Sequence, residues 1–296
     1  MKNVSPASST AKRPRPKAVT AKSADKHVLY RHAVQNPENE VEFLDRVFKK
    51  LRGRVPTSLR EDFCGTAWIA AEWVRSRADR RAVGLDLDAA TLAWSKKHVL
   101  STLSEEARGR LELVKANVLT PPAVAKAAER PEIIIAYNFS YWIFDNRATL
   151  LNYFRTARAG LRPGGIFVVD VMGGAESQLE MSDRTRCWMP RDKQTGVGGP
   201  YMYIWEHGIY DPITAKATCY IHFEFKNGPT MHKAFTYRWR VWGTAEVQDL
   251  LREAGFGKVR VYWEGDDKKG GGDGVFRERS KGTADKAFIA YILAEA

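Results

Sequence analysis

The chain has 296 residues, of which 44% are hydrophobic, enough to bury one large core or a core carrying an inserted subdomain. A formal charge of +12, from 47 Lys and Arg against 35 Asp and Glu, points to an anionic partner, although seven of the cations lie in residues 1–26 against Asp25 alone. Three dispersed cysteines form no CxxC pair, six scattered histidines form no HExxH pattern, and no apolar run reaches the roughly 20 residues of a membrane helix; the expectation is a cytoplasmic protein without disulfides, metal or membrane span.

Residues 1–26, "MKNVSPASSTAKRPRPKAVTAKSADK", hold almost no apolar side chains and predict a disordered basic tail, either solvated or a tether to nucleic acid or another acidic surface. Residues 27–172 predict a core. Two amphipathic helices broken at Pro37 come first, followed by a strand over 58–62, a helix over 66–75, the strand "RAVGLDL" and a helix over 89–100. "RLELVKANV", an Ala-rich helix, "EIIIAYNF", a helix ending at Ala159 and "GIFVVDVM" continue the alternation. Strands alternating with helices give an α/β, doubly wound parallel sheet covered on both faces.

Residues 173–243 differ in period. "YMYIWEHGIY", "KATCYIHFEF" and "TMHKAFTYRWRVW" alternate every second residue and are parted by Asp211-Pro212 and Asn227-Gly228, so they predict an inserted antiparallel meander. Residues 244–296 return to the core. They give a helix capped by Thr244 and ended by Gly255, the strand "KVRVYWE", a flexible loop "GDDKKGGGDG" and a last strand "KAFIAYILA".

The acidic turn at Glu61, Asp86 closing the second strand, Asn117 after the third, "LRPGG" before the fifth and the final "EAGF…VYW…AFIAYIL" together resemble the class I S-adenosylmethionine-dependent methyltransferases. The resemblance spans about residues 55–172 and 244–296. It implies a Rossmann-like, seven-stranded sheet with the meander as a lid, and S-adenosylmethionine as cofactor. The family's first motif is an acidic residue followed by GxGxG. Glu61, Phe63, Gly65 and Ala67 fall on those positions, and only the middle glycine is kept. By resemblance Glu61 lies near the methionine amino group, and the backbone of Phe63, Cys64 and Gly65 approaches the cofactor. Asp86 takes the ribose hydroxyls with its two oxygens. Asn117 meets the adenine edge, Leu87 and Val118 sandwich the ring, Asn138 contacts the cofactor and Tyr30 closes the site. Asp88 is read as a helix cap.

The fourth strand delivers "AYNFSYWIFD", which makes Tyr141 a candidate catalytic residue among aromatics that either wall the acceptor pocket or pack beneath the meander. In the meander, Tyr220, His222 and Glu224 share one face, so His222, with Glu206 and Arg240, either orients the acceptor or lies on a solvated sheet face. His222 is the candidate base for a hydroxyl or ammonium acceptor. The resulting expectation is methyl transfer to N or O of a small molecule. The rivals are an RNA or protein methyltransferase recruited through the tail, and a cofactor-binding protein without turnover. A nicotinamide dinucleotide is disfavoured, because the first turn lacks GxGxxG.

Overall fold

The periodic patterns of the sequence become two units in the computed structural model, which describes residues 17–123, 129–193, 195–266 and 271–296. The larger unit comprises Asn36–Met181, His207–Cys219 and Thr236–Ala296; the smaller comprises the described residues up to Gln35, with Ser182–Glu206 and Tyr220–Phe235.

In chain order, β1 (Lys17–Ala18) and α1 (Lys26–Val34) open the smaller unit, and α2 (Pro37–Arg52) opens the larger. In α2 the sequence sets both ends. The Asn36 side chain accepts from the Asn39 N–H, Pro37 takes the first turn with Glu38 and Glu40, Lys49, Lys50 and Arg52 occupy the last turn, and Gly53 stops the helix at φ 72°. Its stripe of Val41, Leu44, Val47 and Phe48 is buried.

The alternating part follows as β2 (Ser58–Asp62), α3 (Trp68–Ser76), β3 (Arg81–Asp86), α4 (Ala89–His98), α5 (Glu105–Arg108), β4 (Leu111–Lys115), β5 (Ile133–Ala136), α6 (Arg147–Gly160) and β6 (Ile166–Gly173). The Ala-rich helix expected after β4 falls largely on 124–128, outside the described residues. Next come β7 (Met181–Met189), β8 (Val197–Asp211), β9 (Lys216–Phe225) and β10 (Met231–Arg240), then α7 (Thr244–Glu253), β11 (Val259–Asp266), β12 (Gly272–Arg279) and β13 (Phe288–Glu295).

The main sheet has the order β12-β11-β13-β6-β5-β2-β3-β4. Its strands β4, β3, β2, β5 and β6 are parallel, and β13 runs antiparallel between β6 and β11. The seven expected strands are all present, and β12 adds an eighth at the edge. Because the chain runs outward from β2 to β4 and then returns to β5 on the other side of β2, the carboxyl end of β2 is a topological switch point, where such sheets bind ligands. Ile133 to Ile135 and Ile166 to Val169 are fully buried, as strands covered on both faces require. The second sheet has the order β1-β8-β9-β10 with β7 also on β8, so the meander is present with two further strands.

Three local expectations change. Residues 1–16 of the expected tail lie outside the described residues, whereas 17–26 are ordered: Lys17 and Ala18 pair with Val197 and Gly198, Val19 is 3% exposed, and Asp25 caps α1. A single buried valine and a short ladder supply what composition over 26 residues hides. The Gly-rich loop is shorter than expected, because β11 extends to Asp266 and Gly272 already begins β12. The cap of α7 is Gly243, whose N–H donates to Glu246 Oε2 at 2.9 Å, and Thr244 is the first helical residue. No helix among the described residues is long and apolar enough to cross a membrane.

Candidate functional site

The two carboxylates that end β2 point to opposite sides of the sheet, as successive strand residues must. Asp62 faces α6. It accepts from Arg60 Nε at 2.8 Å and Nη2 at 3.0 Å, and from the Tyr153 hydroxyl at 2.9 Å, so it is a buried structural ion pair. Glu61 faces the start of α3, where Oε2 accepts from the Ala70 N–H at 2.9 Å, and its other oxygen accepts no hydrogen bond among the described residues. Glu61 is 4% exposed, and burial, only partly offset by the Ala70 N–H, pushes its pKa up from 4.5 to about 8. A carboxylate in that state lacks a cation.

The loop between β2 and α3 keeps the backbone of a glycine motif without most of its glycines. Phe63, Gly65 and Ala67, the three positions of the GxGxG pattern, all have positive φ, at 55°, 51° and 58°. For Phe63 and Ala67 that conformation costs roughly 1–2 kcal/mol each. The loop is held against this cost: the Cys64 N–H donates to Leu85 O at 2.9 Å, the Gly65 N–H to Asp86 Oδ2 at 2.8 Å, and the Phe63 ring packs on Phe144 and Tyr153. A Cβ on Gly65 would meet no protein atom within 4 Å, so the glycine is not required by packing. Cys64 is 3% exposed with its thiol pKa raised by burial, and its side chain fills the space over Gly84, where a Cβ would lie 2.8 Å from Sγ. Its backbone, rather than its sulfur, is therefore what the loop presents.

Asp86 closes β3 and braces this loop. Besides the Gly65 N–H, it accepts from the Asp88 N–H on Oδ1 at 2.8 Å, so each oxygen keeps one lone pair for a further donor. Asp88 caps α4 through the Ala90 and Thr91 N–H groups. Leu87, between them, is 60% exposed, whereas Val118 is 4% exposed. Asn117 is exposed, and its Oδ1 accepts from the Leu119 N–H at 2.9 Å, which fixes the turn after β4.

At the end of β5 a second strained turn appears, with Asn138 at φ 58° and Phe139 at φ 53°. Asp170 of β6 holds both residues: Oδ2 accepts from the Asn138 N–H at 2.7 Å and Oδ1 from the Phe139 N–H at 2.9 Å. Charge-assisted bonds of about 1.5–3 kcal/mol each outweigh about 1–2 kcal/mol of strain per residue. Asp170 is 7% exposed, and burial lifts its pKa from 3.8 to about 7. This carboxylate was not among the residues singled out from the sequence. A charge inside "GIFVVDVM" was the available signal. Tyr141 is fully buried in the same turn, its hydroxyl donating to Asp170 O at 2.9 Å and its pKa raised by burial. Phe139, Trp142 and Trp239 form an aromatic group beside it, with centroids 5.5 to 6.1 Å apart.

The meander residues separate into different units. His222 and Glu206 meet in the smaller unit, with Nε2 3.0 Å from Glu206 Oε2 while Nδ1 accepts from the Lys233 N–H at 3.2 Å. His222 is 6% exposed; Nδ1 is hydrogen-bonded, whereas buried Nε2 lies close to Glu206 without hydrogen-bond geometry. The Tyr30 ring packs on Phe235, 5.0 Å between centroids, in that same unit. Arg240 belongs to the larger unit, 3.8 Å over the Trp242 ring and 3.7 Å from Glu246. Among the described residues no cluster of three or more His, Cys, Asp and Glu could hold a metal.

No protein-family model matches the chain, and no curated protein matches it. Solved structures do. One is an S-adenosylmethionine-dependent methyltransferase from Clostridium acetobutylicum, at TM-score 0.61 and 15% identity, covering 91% of this chain and 96% of that one. An amino pentose methyltransferase from Micromonospora echinaspora involved in calicheamicin biosynthesis matches at TM-score 0.62 and 12% identity, over 91% and 95%. A sugar N-methyltransferase from a Streptoalloteichus species matches at 0.60 and 14%, over 92% of both chains. The chain therefore has the class I methyltransferase fold, with the carboxyl ends of β2, β3 and β5 forming the rim just described.

Proposed function

We propose that the protein is an S-adenosylmethionine-dependent methyltransferase that transfers a methyl group to a nitrogen or oxygen of a small molecule. The observation that carries this reading is the rim of β2 and β3. It brings a buried carboxylate lacking a cation (Glu61), a left-handed glycine whose missing Cβ serves no protein contact (Gly65) and a bracing carboxylate with lone pairs to spare (Asp86) onto one switch point. These features fit a sulfonium nucleoside of amino acid type. Glu61 would pair with its ammonium, the backbone of 63–65 would lie against it, and Asp86 would accept from the ribose hydroxyls. Leu87 and Val118 would flank the purine, with Asn117 at its edge and Asn138 beside the reacting end.

When bound, the cofactor supplies an electrophilic methyl group, so the chain's own task is to orient a lone pair and exclude water. The turn at Asn138 and Phe139, fixed by Asp170, sets the orientation, and the Phe139, Trp142 and Trp239 group provides an apolar wall. Tyr141 donates its only hydroxyl hydrogen to Asp170 O, so we assign it to holding this turn rather than to proton transfer. His222 has its Nδ1 lone pair directed at a backbone N–H, which argues against its acting as a base. A neutral amine needs no base before attack, and that supports nitrogen over oxygen; one matched structure is named an amino pentose methyltransferase and another a sugar N-methyltransferase.

The test is transfer from methyl-labelled S-adenosylmethionine to a panel of amino sugars, small amines and hydroxyl compounds. Label should enter an amine with the wild-type protein and be lost with Asp86→Ala. Absence of transfer to any small acceptor, or label entering RNA or protein instead, would overturn the reading.

A further inference from the structure

Cationic side chains from several separate segments converge on a cavity of about 820 Å³ at the outer edge of the larger unit's sheet. Lys50 comes from α2, Arg252 from α7, Lys258 from just before β11 and Arg260 from its start, and Arg279 and Lys281 from the end of β12 and the residues after it. Among the described lining residues, Glu278 is the single carboxylate. It is shared, 3.2 Å from Lys50 and 2.6 Å from Arg260. Arg260 also reaches Glu295 at 3.0 Å, and Arg252 reaches Asp249 at 2.8 Å. Lys258, Arg279 and Lys281 make no ion pair among the described residues.

Several other arginines of the unit are matched one to one. Arg60 is matched by Asp62, Arg77 by Asp79 and Arg80 by Asp45. Gathering unmatched like charges around a concave surface costs electrostatic free energy and focuses a positive potential into it. No packing role recovers that cost, because Lys258, Arg279 and Lys281 are exposed. An anion would.

The cavity is distinct from the cofactor rim. Val259 pairs with Ala294, and Ala294 with Phe167 near the start of β6, so the cavity sits at the amino-terminal level of the parallel strands. The rim lies at their carboxyl ends, on the far side of β13, β6 and β5.

We propose that this cavity binds a small polyphosphate, in the class of pyrophosphate and nucleoside polyphosphates. Arginine presents a planar fork to phosphate oxygens and lysine a point charge, and both are present. Three cations without an ion pair, Lys258, Arg279 and Lys281, exceed what one inorganic phosphate would balance, so a multiply charged ligand is the better match. The volume falls within the roughly 300–1,000 Å³ typical of small-ligand sites, and walls from several segments make a pocket rather than the open track that a polymer backbone follows.

The experiment is calorimetric titration of the full chain with pyrophosphate and with ATP at physiological salt. Its two double variants are Arg279→Glu with Lys281→Glu in the cavity, and Lys96→Glu with Lys97→Glu on the exposed side of α4 as a charge-matched control. Saturable one-to-one binding is expected, weakened by at least about tenfold in the cavity variant and by less than about twofold in the control. Should the cavity variant misfold, Lys258→Gln is expected to weaken binding in the same direction. Absence of saturable binding, equal weakening in both double variants, or displacement of pyrophosphate by a tighter-binding short single-stranded RNA would each overturn the proposal.

Discussion

Replacing Glu61 by Gln keeps the acceptor for the Ala70 N–H and removes only the charge. Without ligand, burial lifts this carboxyl from 4.5 to about 8. A group whose folded pKa exceeds its unfolded one contributes stability in full below the unfolded value and loses it as pH rises through the folded value. The window is therefore 4.5 to about 8, and at about 1.4 kcal/mol per unit the whole loss is on the order of 5 kcal/mol, with about 3 kcal/mol of it reached by pH 7. Urea unfolding of wild type and Glu61→Gln across this range measures it. The difference between the two isolates Glu61 from Asp170, which titrates in both. The variant should match wild type near pH 5 and exceed its stability increasingly toward pH 8.5. Saturating S-adenosylhomocysteine should cancel most of that difference, because an ammonium beside Glu61 favours the ionised form, and binding at pH 7 should release a proton from wild type alone. Parallel pH curves for the two proteins would refute the reasoning.

Gly65→Ala should cost only the roughly 1–2 kcal/mol of a left-handed alanine, since the new Cβ meets no protein atom, yet weaken S-adenosylhomocysteine binding by more than about tenfold. Thermal unfolding and calorimetry separate the two effects. With donor saturating, kcat of the wild type should rise with pH through about 7, as Asp170 ionises and offers both oxygens to the Asn138 and Phe139 N–H groups. Asp170→Asn should lower kcat and flatten that profile. Arg60→Met should destabilise by about 3–5 kcal/mol in urea unfolding by stranding buried Asp62, and adding Asp62→Leu should restore much of the loss.

Strands with a strong period or a continuous apolar run were legible in the sequence: β9 and β2 occupy the residues their patterns predicted, β6 lies within one residue of its pattern, and β5 starts one residue later and ends three earlier than expected. β7 and β12 were not, because both are edge strands with mostly exposed side chains on either face, so neither carries an alternation to read. Within the site, the positions of Glu61, Gly65 and Asp86 were legible from motif order. The departures at Phe63 and Ala67 looked like erosion of the motif, but they keep its left-handed backbone, which a residue name does not report. Tyr141, a catalytic candidate by its place in the chain, turns its hydroxyl inward to Asp170 O, which no residue name reports. Asp170 itself was hidden by the apolar strand around it. A buried charge is decided by what lies across from it, here two amides more than thirty residues earlier in the chain.

The central claim is that the ends of β2 and β3 hold a sulfonium nucleoside. Calorimetric titration of wild type and Asp86→Ala with S-adenosylhomocysteine, and with an oxidised nicotinamide dinucleotide in parallel, tests it most directly. One-to-one binding of S-adenosylhomocysteine to the wild type, lost in Asp86→Ala and absent for the dinucleotide, is the predicted result. No binding of S-adenosylhomocysteine, or binding that Asp86→Ala leaves unchanged, would contradict the account.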